Sequence, residues 1–311
     1  MATHWATRRN RCETALTYSV DGTFFLIYSH CIFVSLSIPG PGSPGWITIT
    51  EQGISQSFDM TRIMFSRGNI TEKIRFGKLV QEGEIVLDMY AGIGYYTLPA
   101  LVHGRAGHVY ACEWNQHAVN ALKYNLSVNH VEDRATVLVG DCRRLVCDHC
   151  LVQMFDRVSL GLLPSSEGGW RTGVKALRDR TGGWLHVHGN VPDQELIIWK
   201  LWMCKTLLGH VEEDGKPEDW VVLCVWVERV KSYAPKIHHY VADVFVGPKS
   251  CLPISVELYG HRAGFLQNNN EFCPCTAEVV PPSCALSPDG VLHQDWMMDS
   301  QQEIDATKNY A

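Results

Sequence analysis

Between residues 84 and 188 the hydrophobic pattern switches between short continuous apolar runs and longer segments with helical spacing. Ile85-Val-Leu-Asp-Met89 is a run of the first kind. A strand covered by helices on both faces reads this way, because neither side of it meets water. Val109-Tyr-Ala-Cys-Glu113 with Trp114 and Asn115, Ala135-Thr-Val-Leu-Val139 running on to Asp141, the run 155–164 and Gly183-Trp-Leu-His-Val-His188 repeat it. Helices are expected between and after them, over 93–102, 116–129, 167–179 and 193–208. Strands and helices in alternation predict an α/β chain with a mostly parallel sheet.

The ends of these strands carry the candidate chemistry. Asp88 interrupts the first run near its carboxyl end, where open α/β sheets bind ligands. Gly92 and Gly94 follow, so the backbone turns tightly and can approach a ligand. The next helix then points its positive end the same way. A dinucleotide-binding loop wants a third glycine at position 97, which is Thr97. The form acid-x-x-x-Gly-x-Gly over Asp88–Gly94 suits an S-adenosylmethionine loop, and a plain tight turn accounts for the same residues. Glu113 ends the second strand 25 residues on, placed to accept from a ribose hydroxyl pair. Asp141 ends the third, placed to accept from an adenine amino group with Cys142 beside the ring. Acids at three successive strand ends are hard to explain as surface decoration.

Composition changes this picture little. The chain has 311 residues and is 46% hydrophobic, enough for one large domain with extensions. Net charge is −6, distributed as +3 over residues 1–80, −4 over 81–245 and −5 over 246–311. Nothing in that balance argues for nucleic acid, so an RNA reading must rest on the site. The twelve cysteines are scattered. Only Cys147/Cys150 and Cys273/Cys275 are close, without partner pairs at zinc-ribbon spacing, so free thiols in a reducing compartment and no metal are expected. The apolar run 24–38 is broken by His30 and too short for a membrane span. It follows Arg8, Arg9 and Arg11 as a signal peptide would, but no clean cleavage site follows it. The chain is expected to be cytoplasmic, with a poorly specified extension over 1–45, a catalytic domain over 46–246 and a disordered tail over 247–311.

Five motifs occur in a fixed order: Phe65-Ser-Arg-Gly-Asn-Ile-Thr-Glu-Lys73, Asp88-Met-Tyr-Ala-Gly-Ile-Gly-Tyr95, Ala111-Cys-Glu-Trp-Asn115, Gly161-Leu-Leu-Pro-Ser-Ser-Glu167 and Arg229-Val-Lys-Ser-Tyr-Ala-Pro235. Together they resemble the tRNA wybutosine-synthesizing protein 2 family over roughly residues 45–246. The resemblance implies a class I SAM-dependent methyltransferase (Rossmann-like) fold with a mostly parallel seven-stranded sheet and helices on both faces. It implies transfer of the 3-amino-3-carboxypropyl group of S-adenosylmethionine to the demethylwyosine base beside the anticodon of tRNA-Phe. Ser66, Lys73, Asp88, Tyr90, Gly92, Glu113, Asp141 and Cys142 then become cofactor contacts, with Lys73 suited to the methionine carboxylate. A solvated helical lysine is the plainer reading of Lys73. Arg67 and His186 are the catalytic candidates. Arg67 could meet phosphate or substrate. His186 and His188 face one side of their strand, where one could approach the acceptor base or both could be buried structural histidines.

The related tRNA guanine-N-methyltransferases carry Asn-Leu-Pro where this chain has Leu162-Leu163-Pro164, which argues against ring-nitrogen methylation. A SAM-fold scaffold without catalysis is the alternative of a different class. The family's usual N-terminal domains, which help hold the tRNA, are expected to be missing here, leaving cofactor binding intact and RNA binding weak.

Overall fold

The computed structural model describes the backbone over residues 6–10, 13–20, 23–27, 33–36, 40–65 and 67–252, and side chains over 40–65 and 68–252. Four antiparallel strands come first: β1 (Ala6–Asn10), β2 (Glu13–Val20), β3 (Thr23–Ile27) and β4 (Phe33–Leu36). The apolar run 24–38 lies partly in β3 and β4. The tail expected over 247–311 lies outside the described residues from 253 onward. Among the described residues, no helix is long and apolar enough to cross a membrane.

A hairpin follows, β5 (Trp46–Glu51) and β6 (Ile54–Asp59). Gln52 and Gly53 both have positive φ, 51° and 78°, as a two-residue hairpin turn requires. The main sheet has seven strands: β7 (Ile85–Asp88), β8 (His108–Glu113), β9 (Ala135–Val139), β10 (Arg157–Leu160), β11 (Gly183–Pro192), β12 (Trp220–Ala234) and β13 (Ile237–Pro248). Their order is β12-β13-β11-β10-β7-β8-β9, and β13 alone runs against its neighbours. The chain steps outward from β7 to β8 and β9, then returns to β10 on the other side of β7. That reversal opens a crevice at the carboxyl ends of β7 and β10. The seven-stranded, mostly parallel sheet is the one the resemblance implies.

Helices α1 (Ile70–Leu79), α2 (Thr97–Val102) and α3 (Gln116–Val128) cover one face. There Val86, Val109 and Ala111 pack against Phe76, Leu98, Leu101 and Leu122. Helices α4 (Cys142–Asp148), α5 (Trp170–Ala176) and α6 (Leu196–Glu213) cover the other, where Leu87, Val158, Leu160, Leu185 and Val187 meet Trp170, Val174, Met203 and Leu207. Adjacent residues such as Val86 and Leu87 face opposite layers, the period-2 alternation of a strand.

Several boundaries differ from the sequence reading. The helix expected over 93–102 begins only at Thr97, because Gly92 and Gly94 sit at φ 55° and 102°, outside helical backbone. The strand before Asp141 stops at Val139, and Asp141 instead caps α4, its side chain accepting from the Arg143 amide. The segment 167–179 yields only a short helix over Trp170–Ala176. The one expected over 193–208 is displaced to Leu196–Glu213 because β11 continues to Pro192. Strand β13 runs past the domain boundary expected at 246, through Pro248.

Candidate functional site

Asp88 ends β7 with its side chain buried. Thr97 Oγ1, at the first position of α2, donates to Asp88 Oδ2 at 2.7 Å. The residue that breaks the dinucleotide pattern is thus the one that holds the loop's acid, a role visible only once the turn is folded. Burial pushes the Asp88 carboxyl up to about 6, against the lowering effect of the Thr97 bond. Its second oxygen, Oδ1, has no hydrogen bond of good geometry within the protein, although Ser159 lies across the β7–β10 pair beside it and lowers its pKa. An acceptor buried in this way requires a donor.

Glu113 ends β8 and reaches back over the glycine loop. Its Oε2 accepts from the Gly92 amide at 2.8 Å, and its Oε1 accepts from the Trp114 and Asn115 amides at 3.0 and 2.8 Å. Three backbone donors orient a carboxylate that offers about four lone-pair sites. One direction remains for a ligand hydroxyl. Trp114 stands next to it, 53% exposed. The sequence reading placed Glu113 at the site but missed that it also ties strand β8 to the loop of β7.

Asp141 is more constrained. Arg143 Nη2 reaches its Oδ2 at 2.5 Å and Arg143 Nε reaches its Oδ1 at 3.0 Å, in addition to the cap on the Arg143 amide. These contacts hold its carboxyl below the usual range. Cys142 is buried, and burial pushes its thiol up to about 12. The Tyr90 hydroxyl lies beside it and is likewise raised by burial. Gly169 matters here, since a Cβ at that position would come within 2.5 Å of Tyr90 Oη. Asp88 and Glu113 end β7 and β8, Tyr90 and Gly92 lie in the loop after β7, and Asp141 and Cys142 open α4 just past β9.

Lys73 departs from the plainer of its two readings. It is a buried residue of α1, not a solvated one, and its Nζ meets Glu51 Oε2 at 2.7 Å. The ammonium also sits 4.9 Å from the Phe65 ring centroid and 5.2 Å from that of Tyr95, which belongs to the glycine loop. Burial lowers its pKa, opposed by Glu51. An ammonium has three donors, of which Glu51 takes one. The small hollow next to Lys73, partly open to solvent, is lined by α1, α2 and the β5–β6 hairpin, not by the strand ends. Ser66 lies outside the described residues, and of Arg67 only the backbone is described.

The candidate His186 is a correction. Its ring is buried beneath Phe76, with Nδ1 2.5 Å from Asp243 Oδ1 and Nε2 2.7 Å from Arg157 Nη1. Both nitrogens are committed, so His186 has none left for a substrate. Arg157 continues to Glu84 at 2.8 Å, and Asp243 pairs with Arg75, which also binds Glu72 at 2.6 Å. No sequence signal brings Arg75 to Asp243. Asn125 was also missed: from α3 it accepts the Ser57 amide at 2.6 Å and donates to Ile93 O at 3.0 Å, tying the hairpin to the glycine loop.

This geometry suits S-adenosylmethionine: an oriented acid with one open direction, a buried carboxyl at the floor of the loop and a glycine turn between them. Strand order and loop together define the class I SAM-dependent methyltransferase fold. Residues 48–206, just over half of the chain, match the family model described as the TRM5/TYW2 methyltransferase domain, and the chain belongs to that family. It is 48% identical over 203 residues to tRNA wybutosine-synthesizing protein 2/3/4 of Arabidopsis thaliana, covering 65% of this chain and 20% of that protein. It is 39% identical over 240 residues to the tRNA wybutosine-synthesizing protein 2 homolog of Danio rerio, covering 67% of this chain and 57% of that protein. The crystal structure of M. jannaschii TYW2 in complex with AdoMet superposes with a TM-score of 0.58 at 28% identity, over 67% of this chain and 88% of that one. The matched region spans between a fifth and somewhat over half of these curated relatives.

Proposed function

We propose that this chain transfers the 3-amino-3-carboxypropyl group of S-adenosylmethionine to the demethylwyosine base beside the anticodon of tRNA-Phe. The observation that carries the reading is the loop after β10. Leu162 stands there 41% exposed, at the crevice between β10 and β7, where the resembling guanine-N-methyltransferases carry an amide. An apolar side chain cannot orient a ring nitrogen for attack. The relatives named wybutosine-synthesizing protein 2 support the same choice.

The sulfonium carries three displaceable carbons, and which one reacts is set by orientation in the pocket. Glu113 fixes the ribose end through its remaining lone pair. Asp88 Oδ1 takes an ammonium donor of the methionine arm. Lys73, steadied by Glu51 and the Tyr95 ring, takes the carboxylate. Trp114 offers its exposed face to the adenine. Anchoring both ends of the donor leaves the γ-carbon as the part held toward the acceptor.

The test uses two preparations of S-adenosylmethionine, one labelled in the methyl group and one in the carboxyl carbon, with RNA bearing demethylwyosine. Carboxyl label entering the RNA, with methyl label leaving in methylthioadenosine, is expected. Methyl label in the RNA would establish a guanine-type methyltransferase instead. Cofactor binding without transfer of either label would establish a scaffold.

A further inference from the structure

His188 and His239 form a buried pair that the binding residues above do not use. His188 lies on β11 and His239 on β13, with relative exposures of 2% and 1%. His188 Nδ1 meets His239 Nε2 at 3.0 Å. The outer nitrogens, His188 Nε2 and His239 Nδ1, have no partner within the protein. Two buried rings joined at one nitrogen each, with neither outer nitrogen partnered, are costly unless those ends meet something.

Their location relates them to the site. The His188 ring packs edge-on against Tyr96 at 5.0 Å, and Tyr96 follows the glycine loop directly. A Cβ on Gly161, at the start of the Leu162–Pro164 loop, would touch the Tyr96 ring at 3.4 Å. Ser166, just past that loop, donates to the His188 carbonyl at 3.3 Å. His188 therefore stands between the two loops that border the crevice.

We infer that His188 takes the proton that the acceptor base must lose, and that His239 is the positioning residue that passes a proton onward. This rests on the transfer reaction proposed above. The acceptor carbon forms a bond to the γ-carbon, and the S–Cγ bond breaks with its electron pair going to sulfur. The attacked ring carbon then carries both its hydrogen and the new substituent, and the ring is cationic. That hydrogen leaves as a proton to His188 Nε2, and its bonding pair restores the ring. For Nε2 to accept, the His188 proton must reside on Nδ1 and point at His239 Nε2, so the His239 proton resides on Nδ1. A proton arriving at His188 Nε2 then moves the shared proton to His239 Nε2, and the His239 Nδ1 proton leaves to solvent or buffer on product release.

Both rings are kept neutral by burial. The groups facing His188 are His239, His186, Arg75 and Asp243 together with Tyr96, and Lys231 faces His239 across the β12–β13 pair. Only Asp243 favours the charged form, so the pair is a weak base. A cationic ring is a strong carbon acid, and a weak neutral base suffices for it.

The experiment measures carboxyl-label transfer to an anticodon stem-loop RNA bearing demethylwyosine, beside cofactor affinity by calorimetry, for the full chain and the variants H188Q and H239Q. H188Q should slow transfer by about 10²-fold, the usual scale for a lost acid–base group, with cofactor affinity unchanged. H239Q should lose less, and its rate should rise with added imidazole buffer while that of the parent does not. Nitrogen-15 histidine spectra of the unaltered chain should show His188 protonated on Nδ1. Parental transfer rate in H188Q, cofactor affinity falling in step with rate, or His188 protonated on Nε2 would each overturn the assignment. A parent chain that binds cofactor but transfers nothing would instead remove the functional reading, and this inference with it.

Discussion

Two regions of the molecule hold acids, and they hold them differently. Beneath α1 the sheet carries a closed row in which Asp243 meets Arg75 and His186, Arg157 meets Glu84 and His186, and Glu72 meets Arg75. At the rim of the strand ends, Glu113 is held by three backbone amides. The closed row satisfies its charges with other charges, so it has little left for a ligand. The rim acid is oriented by donors that carry no net charge, so its own charge and one lone pair stay available. Burial and charge alone do not identify a site, since Glu72, Arg75 and Asp243 are strongly perturbed and belong to the row. What marks the rim is an acid oriented by the backbone and left incomplete.

Breaking the row should have the largest effect. Asp243→Ala leaves Arg75 and His186 buried without their common partner, and should cost on the order of 3–5 kcal/mol of stability in urea unfolding. Cofactor affinity of the folded fraction should be retained. A loss below about 1 kcal/mol would mean that water or rearrangement satisfies the row, and the contrast with the rim would weaken.

Titration sharpens the same contrast. Glu72 and Asp243 share Arg75, and the negative charge resides on Asp243, whose carboxyl is held far below its usual range, while burial raises Glu72 to about 7. A carboxyl raised from 4.5 to about 7 contributes stability that is complete below pH 4.5 and is lost as pH rises through 7. The unaltered chain should therefore lose stability relative to Glu72→Gln between these limits, on the order of 3 kcal/mol. The buried histidines tilt the absolute curve the other way, and subtracting the variant removes them. A pH-independent difference between the two proteins would place the shared proton elsewhere.

The rim should answer mainly in ligand affinity. Glu113→Ala should weaken S-adenosylmethionine binding by on the order of 1–3 kcal/mol, measured by calorimetry. Asp141→Ala should cost a similar amount but also about 1 kcal/mol of stability, because it removes the cap of α4. Asp141→Asn keeps an N-cap oxygen, so it should recover the stability and report the ligand term alone. Unchanged affinity in both Glu113→Ala and Asp141→Ala would remove the strand ends as the binding site.

The rim was legible in the sequence and the row was not, for a physical reason. Asp88, Glu113 and Asp141 each end an apolar run, and the end of a parallel strand is a local signal. The seven-stranded sheet followed from the family resemblance, and five of its strands from apolar runs. The row depends on pairs such as Arg75 with Asp243 and Arg157 with Glu84, which only strand order brings together. His186 and His188 alternate alike in sequence, yet one is locked between Asp243 and Arg157 and the other keeps an unpartnered nitrogen. Thr97 read as a missing glycine and proved to be the donor to Asp88.

Arg143 offers the smallest and most discriminating test, because Asp141 combines both regimes. A cap to the Arg143 amide holds it as the rim acids are held, while the Arg143 side chain grips it as the row is gripped. Those two side chains are 39% and 28% exposed, and an ion pair so open to solvent is worth less than about 1 kcal/mol. Arg143→Ala should therefore leave stability nearly unchanged, since the cap survives. It also returns lone pairs to Asp141, so if Asp141 accepts from the adenine amino group, cofactor affinity should stay level or rise slightly, by less than about 1 kcal/mol. A fall in affinity comparable to that of Asp141→Ala would mean that the guanidinium makes the contact and the acid only positions it. Asp141 would then belong with the row, and Glu113 would be left as the rim's one backbone-held acid.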